Sequence, residues 1–559
     1  MSADGKKRFG IFKILAIVVV LLVAVIIALP FVIDVNKFRP ELEGKLRETL
    51  AREVKVGNLK LSLLSGTVAV DDISIADDLA FSRTPFISAR SFQLGVELKP
   101  LIFSKVIRIT EILLDKPSIT LIRSASGKWN FSSLGNQAGA PTMETPSQAP
   151  SSLAGMDISI NQLKIANGTV TVIQSEGRGK PSSFSDVNLT ATGLSLSSAF
   201  PFTLTASLPG GGSLKLEGDA GPVSGADLVM TPLKAKLAVQ HFDMVGSGFV
   251  APNSGLAGIV DFSGTLVSDG GKVQSNGHAA ADKLQVIKGG SPASKPVSLA
   301  YSVGYDLAQH SGTLSDARLE YGEAVAHLNG NYQMLGDSLS LKMRMRGSDM
   351  PVQDIKTLLP AFGVTLPKGA TLEGGVANAD LTAEGPIEKM VTAGSANISK
   401  TRLIGFDLAG KMAIVAVLAG LKSKPETDIE RFASGVRMSP EGIQVKGLQL
   451  IVPALGELSG DGVIRPDQSL DFKMRALLKP SGGLGLGLVR LMKGSGGTLT
   501  VPFFVRGTAS EPKFVADAKK AADSLLESTL SKQGTQGGQT GTNKLLGDAL
   551  RDLLQKKKQ

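Results

Sequence analysis

Along most of this chain, apolar and polar residues alternate with a period of two. Leu59, Leu61 and Leu63, then Val68 and Val70, Ile73 and Ile75, and Phe92, Leu94, Val96 and Leu98 each stand between polar neighbours. The pattern resumes at Ile158, Ile160, Leu163 and Ile165 and recurs as far as Leu339, Leu341, Met343 and Met345, and Leu470, Phe472 and Met474. Period two predicts strands with one apolar and one polar face. Helical spacing interrupts it briefly. Phe38, Leu42, Leu46 and Leu50 recur every four residues behind Asn36, a candidate N-cap, with Pro40 in the first turn. Two more short helices are expected around Val352 to Phe362 and Leu408 to Leu421. Beyond Phe514, Val515, Ala518, Ala522, Leu525 and Leu526 form one helical stripe, and Leu545, Leu546, Ala549, Leu550, Leu553 and Leu554 form another.

The chain opens differently. Lys6, Lys7, Arg8 and Lys13 precede an apolar run from Ile14 to Ile33 that includes Leu15, Val19, Leu22, Val25, Ile26, Leu29 and Phe31. About 20 apolar residues suffice for a helix to cross the hydrocarbon core. The run is longer than a cleaved signal's apolar region and lacks a clean small-x-small site, so it reads as a retained single-pass anchor. Cations before it place the N-terminus in the cytoplasm and nearly everything else on the far side.

With Gly 64, Pro 27, Trp 1 and Tyr 4, the composition suits a turn-rich β-protein with aliphatic apolar faces. The absence of cysteine excludes disulfides, thiolate ligands and a cysteine nucleophile. Much of the net charge of +10 sits beside the anchor and in Lys556, Lys557 and Lys558, so it does not argue for nucleic acid as a partner. His241, His278, His310 and His327 lie far apart without metal-ligand spacing. Gly482 to Gly487 departs from the dinucleotide fingerprint, and Asp71-Asp72 and Asp77-Asp78 read as solvated strand ends. No catalytic residue, metal site or cofactor is expected, and the chain reads as a protein that is not an enzyme.

Several segments carry a resemblance. Asp34-Val35-Asn36-Lys37-Phe38-Arg39-Pro40, the run Val56 to Leu63, and Asp71-Asp72-Ile73-Ser74-Ile75-Ala76 follow the anchor in order. Leu114-Asp115-Lys116-Pro117-Ser118-Ile119 then leads to Gly127-Lys128-Trp129-Asn130-Phe131, the most specific of them. Together they resemble the start of AsmA-family envelope proteins. Gly394 to Leu408, Val501 to Thr508 and Glu511 to Phe514 are similar to the family's C-terminal core. With the linker read from composition and the tail from periodicity, the expected organisation is a basic stub and anchor over 1–33, an AsmA-like helix and β-region over 34–134, a Pro/Ser/Gly-rich linker over 135–153, a long β-region with an AsmA-like C-terminal core over 154–515 and an amphipathic helical tail, outside the resembling motifs, over 516–559.

The resemblance implies an elongated, curved β-groove like that of bridge-like lipid-transfer proteins, anchored in the inner membrane with its bulk in the periplasm. It also implies a role in conducting phospholipid toward the outer membrane and maintaining the outer envelope. Phe92, Leu94, Val96, Leu98, Leu339, Leu341, Met343 and Met345 are then the candidate groove lining. Outer-membrane or other envelope proteins are expected partners beside phospholipid and the inner membrane. Alternation alone leaves a closed sandwich or barrel open as the other architecture. A non-enzymatic scaffold for outer-membrane protein assembly is the other function.

Overall fold

A computed structural model describes residues 34–62, 65–97, 108–124, 128–134, 159–174, 181–195, 197–223, 230–252, 254–335, 338–412, 424–478 and 499–517, with Lys99, Pro100, Phe103, Val415 and Ala416 besides. The apolar run 14–33, the linker, Leu63, Leu98, Gly482 to Gly487 and the tail stripes from Ala518 onward lie outside the described residues, whereas Val515, expected on the first stripe, lies in a strand instead of a helix. No described helix is long and apolar enough to cross a membrane.

The described chain is mainly β and falls into two units, Met1–Ala251 with Ile259–Gly277 and Pro252–Gly258 with His278–Gln559. In the first unit a 3-10 turn, Val35–Phe38, runs into α1, Arg39–Leu50. Asp34 rather than Asn36 caps the turn, its carboxylate accepting the Asn36 N–H at 3.2 Å. Asn36 instead accepts the Leu59 N–H at 2.9 Å and ties the helix to the sheet. Leu42, Leu46 and Leu50 pack on Val54, Val56, Leu59 and Val70, whereas Phe38 precedes the helix and stays 58% exposed.

The strands beneath and beyond α1 are β1 (Val54–Lys55), β2 (Leu59–Ser62), β3 (Thr67–Ala76), β4 (Pro85–Val96), β5 (Ile109–Asp115), β6 (Ser118–Arg123), β7 (Ser159–Gln174), β8 (Ser182–Ser195), β9 (Phe200–Ser207), β10 (Ser213–Ala220), β11 (Leu233–Asp243) and β12 (Ala257–Ser268). β1 and β2 both pair with β3, and β7 runs parallel to β5 and β6. β4 pairs antiparallel with β3, β5 and β6, and successive strands from β7 to β12 pair antiparallel.

The chain continues through β13 (Lys272–Gln285) into the second unit: β14 (Val297–Asp306), β15 (Ser311–Tyr321), β16 (Ala324–Leu335), β17 (Ser338–Pro351), α2 (Val352–Leu358), β18 (Thr371–Glu373), β19 (Val376–Pro386) and β20 (Val391–Ile404). The single helical turn α3 (Leu408–Lys411) precedes β21 (Glu426–Ser439), β22 (Gly442–Val452), β23 (Gly456–Ile464), β24 (Leu470–Leu478), β25 (Leu499–Gly507) and β26 (Pro512–Ala516). From β14 onward the strands pair antiparallel in series, β17 meeting β19, and β18 and β19 both meeting β20. The helix expected over Val352 to Phe362 is α2 followed by a 3-10 turn, Leu359–Phe362. The one expected from Leu408 begins at Leu408, capped by Asp407.

One bulge device recurs in these strands. The backbone N–H of Asn167, His241, Asp349 and Gly447 donates to Asn188 Oδ1 (3.0 Å), Asp261 Oδ1 (2.6 Å), Asn378 Oδ1 (2.9 Å) and Asp461 Oδ1 (2.7 Å), each on the neighbouring strand. All four donors have positive φ, and the register shifts at each site. A bulge adds a residue to one strand and raises local twist, and the short acceptor satisfies the N–H that leaves the ladder.

The α2 cover is fastened by Asp354, whose side chain is 6% exposed and lies 2.6 Å from Lys295 Nζ. Its other oxygen accepts the Glu323 N–H at 2.8 Å. The Lys295 ammonium is the main reason the Asp354 carboxyl is held below its ordinary value of 3.8. A depressed carboxylate adds stability above its unfolded pKa and loses it as the pH falls through the lowered value. The melting-temperature gap between wild type and Asp354→Asn should therefore be widest near neutral pH and shrink below pH 3.8. A gap that does not change with pH would remove the ion pair from the stability of α2.

Candidate functional site

Cross-strand register turns the sequence alternation into continuous apolar rows. In the first unit Val70, Phe92, Leu114, Ile165, Leu189, Leu204, Leu216 and Leu237 are successive partners from β3 to β11. The adjoining row runs Val68, Leu94, Ile112, Leu163, Ala191, Phe202, Gly218, Ala235 and Leu266. Val96 stands opposite Ile109. In the second unit Tyr301, Ala317, Leu328, Met345, Leu381, Gly394, Val436, Val445, Gly462, Phe472, Val505 and Phe514 are partners from β14 to β26. Met343 lies in the next row, between Gly330 and Ala383, Leu341 pairs with Tyr332, and Leu339 with Met334.

The burial of these side chains decides between a closed and an open face. Inner residues of a closed sandwich are shielded by the facing sheet. Here Phe92, Leu94, Val96, Leu339, Leu341, Met343 and Met345 are all half-buried. Three buried clusters form where short segments pack on the strands: α1 with Val54, Val56 and Val70, α2 with Ala326, Met350 and Ala377, and Phe406, Leu408, Met412 and Val415 with Leu458, Ala476, Leu478 and Val501. Phe92 touches the first of these covers. Between covers Ala191, Ala235, Tyr301, Ala317, Val445 and Phe472 are buried, while larger side chains of the rows such as Leu94, Leu341, Met343 and Met345 stay partly exposed.

Aromatic rings lie flat on this face where glycine leaves room. Tyr305 and Tyr332 stack at 5.9 Å across Gly312, where a Cβ would collide with the Tyr332 ring. Tyr332 Oη donates to the Gly304 carbonyl at 3.2 Å, so the hydroxyl is satisfied while the ring faces the apolar rows. The opposite face of β17 carries Lys342, Arg344 and Arg346. Arg344 grips Asp380 through two bonds of 2.7 and 2.9 Å, and Lys342 lies 3.1 Å from Glu384. These exposed pairs contribute little stability, but they keep that face wetted.

The buried polar cluster of the first unit was not legible in the sequence. Arg52, 6% exposed, reaches Asp77 Oδ1 at 3.5 Å, the Asn130 carbonyl at 2.9 Å and Ser133 Oγ at 2.6 Å. Asn130 donates to Asp77 Oδ2 and the Thr120 carbonyl, both at 2.8 Å, and accepts the Ile122 N–H at 3.0 Å. Burial pushes the Asp77 carboxyl above its ordinary value despite Asn130 and Arg52. Beside it, the Ala80 N–H and the Ser133 hydroxyl hold Asp78 low. Asp77 is thus a buried acceptor rather than a solvated strand end. The Trp129-Asn130-Phe131 motif works as a clamp: Asn130 is fully buried, and Trp129 stacks on Phe131 at 5.7 Å.

Among the described residues no group of histidine and acidic side chains could hold a metal ion. His241 sits at a bulge, His310 has positive φ, and His327 lies exposed 3.8 Å from Asp316.

The described residues define a mainly β protein whose strands carry apolar rows in register and whose first unit is clamped around Asn130. Residues 6–237 match the model of the AsmA family. No curated protein and no solved structure matches the chain. The resembling C-terminal segments beyond the matched span form β20, α3, β25 and β26.

Proposed function

We propose that this protein is a non-enzymatic lipid carrier, anchored in the inner membrane by residues 14–33 with its bulk in the periplasm, that conducts phospholipid toward the outer membrane and so supports the outer envelope. The half-burial of the apolar rows is the observation that carries this reading. A lipid with two chains of about 16 carbons would cost on the order of 20 kcal/mol to expose to water, at about 0.8 kcal/mol per CH₂. A continuous apolar lining offsets that cost along the way, and strands with one aliphatic face supply it without any reacting group. The match of residues 6–237 to the AsmA family and the large sheet support an envelope-related role.

Full-length protein extracted in mild detergent should retain phospholipid when its co-purifying lipids are identified by mass spectrometry. Lipid-free protein that holds a specific envelope protein instead would overturn the carrier reading in favour of a scaffold for outer-membrane protein assembly.

A further inference from the structure

Between the 3-10 turn Leu359–Phe362 and β18, residues 363–370 cross the second unit without joining any strand. One end is held beside the connection from β13 to β14. Val286 N–H donates to the Ala361 carbonyl at 3.3 Å, Ser291 N–H donates to the Pro360 carbonyl at 2.8 Å, and a Cβ on Gly363 would collide with Ile287. Toward the other end of the strand series, Gln468, in the turn between β23 and β24, donates through Nε2 to the Gly363 carbonyl at 3.0 Å. Its Oε1 accepts Thr365 Oγ1 at 3.2 Å. Lys368 N–H donates to the Ser510 carbonyl, between β25 and β26, at 2.8 Å. Leu366, midway, packs on the apolar-face cluster of Ala326, Met350, Leu372 and Ala377, which Met345, Ala379 and Ile398 flank.

Two backbone observations set this crossing apart from an ordinary loop. Gln468 has φ +65, a left-handed conformation that glycine or asparagine adopts at lower cost. A residue poorly suited to its turn is the one whose side chain grips the crossing at both polar atoms, which is where strain points to function. The crossing is also bracketed by Gly363 at φ +68 and Gly369 at φ +79, two points about which it can swing.

We propose that residues 363–370 are a strap that gates the apolar face of the second unit. With Gln468 engaged, Leu366 occupies the path beside Met345, Ala379 and Ile398. Acyl chains pass there only when Gln468 lets go and the strap swings away. This rests on the carrier reading above, and the experiment separates the two.

Full-length protein is assayed for transfer of a fluorescent phospholipid between donor and acceptor vesicles of phosphatidylethanolamine and phosphatidylglycerol. Gln468→Gly suits the turn and removes both side-chain bonds, so transfer should rise about tenfold at unchanged melting temperature. The native chain has no cysteine, so a Thr365→Cys, Gln468→Cys pair can be tied selectively by a short reducible bis-thiosulfonate. Tying should slow transfer about tenfold, and reductant should restore it. Wild-type rates in both Gln468→Gly and the tied pair, with the cross-link verified by mass, would make the strap a static cover and overturn the gate while leaving the carrier standing. Wild-type protein that neither holds nor transfers lipid would overturn the carrier, and the gate with it.

Discussion

Arginine at Leu341 or Met343 is expected to strip the protein of lipid while leaving it folded. Both side chains are half-buried on the open apolar face, next to Tyr332 and Gly330 across β16 and to Gly385 and Ala383 across β19. Without lipid, the guanidinium can lie along the face and reach water with its charged end. With lipid it stands among acyl chains, where a cation costs about 3 kcal/mol, equivalent to a loss of about 100-fold in lipid occupancy. Melting temperature and bound phospholipid, measured on the same preparation, check this. Arg344→Met, on the wetted face of the same strand, should change neither. Were the face closed by a second layer, the new charge would be sealed in the core and the variant would unfold, typically at a cost of several kcal/mol. A folded Leu341→Arg protein that keeps its lipid would exclude this face from the path.

Arg52→Met is expected to cost the first unit about 3–5 kcal/mol, the usual result of leaving a buried charge without its partner. Asp77, its side chain 1% exposed, would lose its cation, and the Asn130 carbonyl and Ser133 would lose a donor. The loss should depend on pH. Burial already raises the Asp77 carboxyl, and a raised carboxyl favours the folded state below the unfolded value of 3.8 and loses that contribution as the pH rises through the folded value. The variant should therefore suffer least below pH 3.8 and most at neutral pH, in denaturant titrations followed by the fluorescence of the single tryptophan, Trp129. Asp77→Asn in the same chain should recover much of the loss at neutral pH. Equal loss at both pH values would exclude the buried carboxylate as its source.

The particular elements show what could be read in advance. Alternation at Phe92-Leu94-Val96 and Leu339-Leu341-Met343-Met345 identified strands and their apolar face, because a strand's side chains point to opposite faces whatever surrounds it. The stripe Leu42, Leu46 and Leu50 identified α1 for the same local reason, and the motif around Trp129 pointed to the family. Asp77 was misread as a solvated strand end. A carboxylate on a tight turn looks the same whether it meets water or Arg52, which lies 25 residues away in the chain. Asn36 was misplaced as a helix cap because its acceptor serves the Leu59 N–H, a partner chosen by packing.

By itself the sequence determined what depends on near neighbours: the β class, the alternation of apolar faces, the stripe of α1 and the family resemblance. Tertiary structure alone decided whether those faces close on one another. Open and closed sheets share one alternation pattern, and only cross-strand register and the burial of Leu341, Met343 and Met345 tell them apart. It also decided that Asn188, Asp261, Asn378 and Asp461 would serve bulges on neighbouring strands, and that residues 363–370 would be held by Gln468, more than 100 residues further on. Each of these depends on which distant backbone group or side chain arrives beside the residue, and folding settles that by placing strands far apart in the chain next to one another.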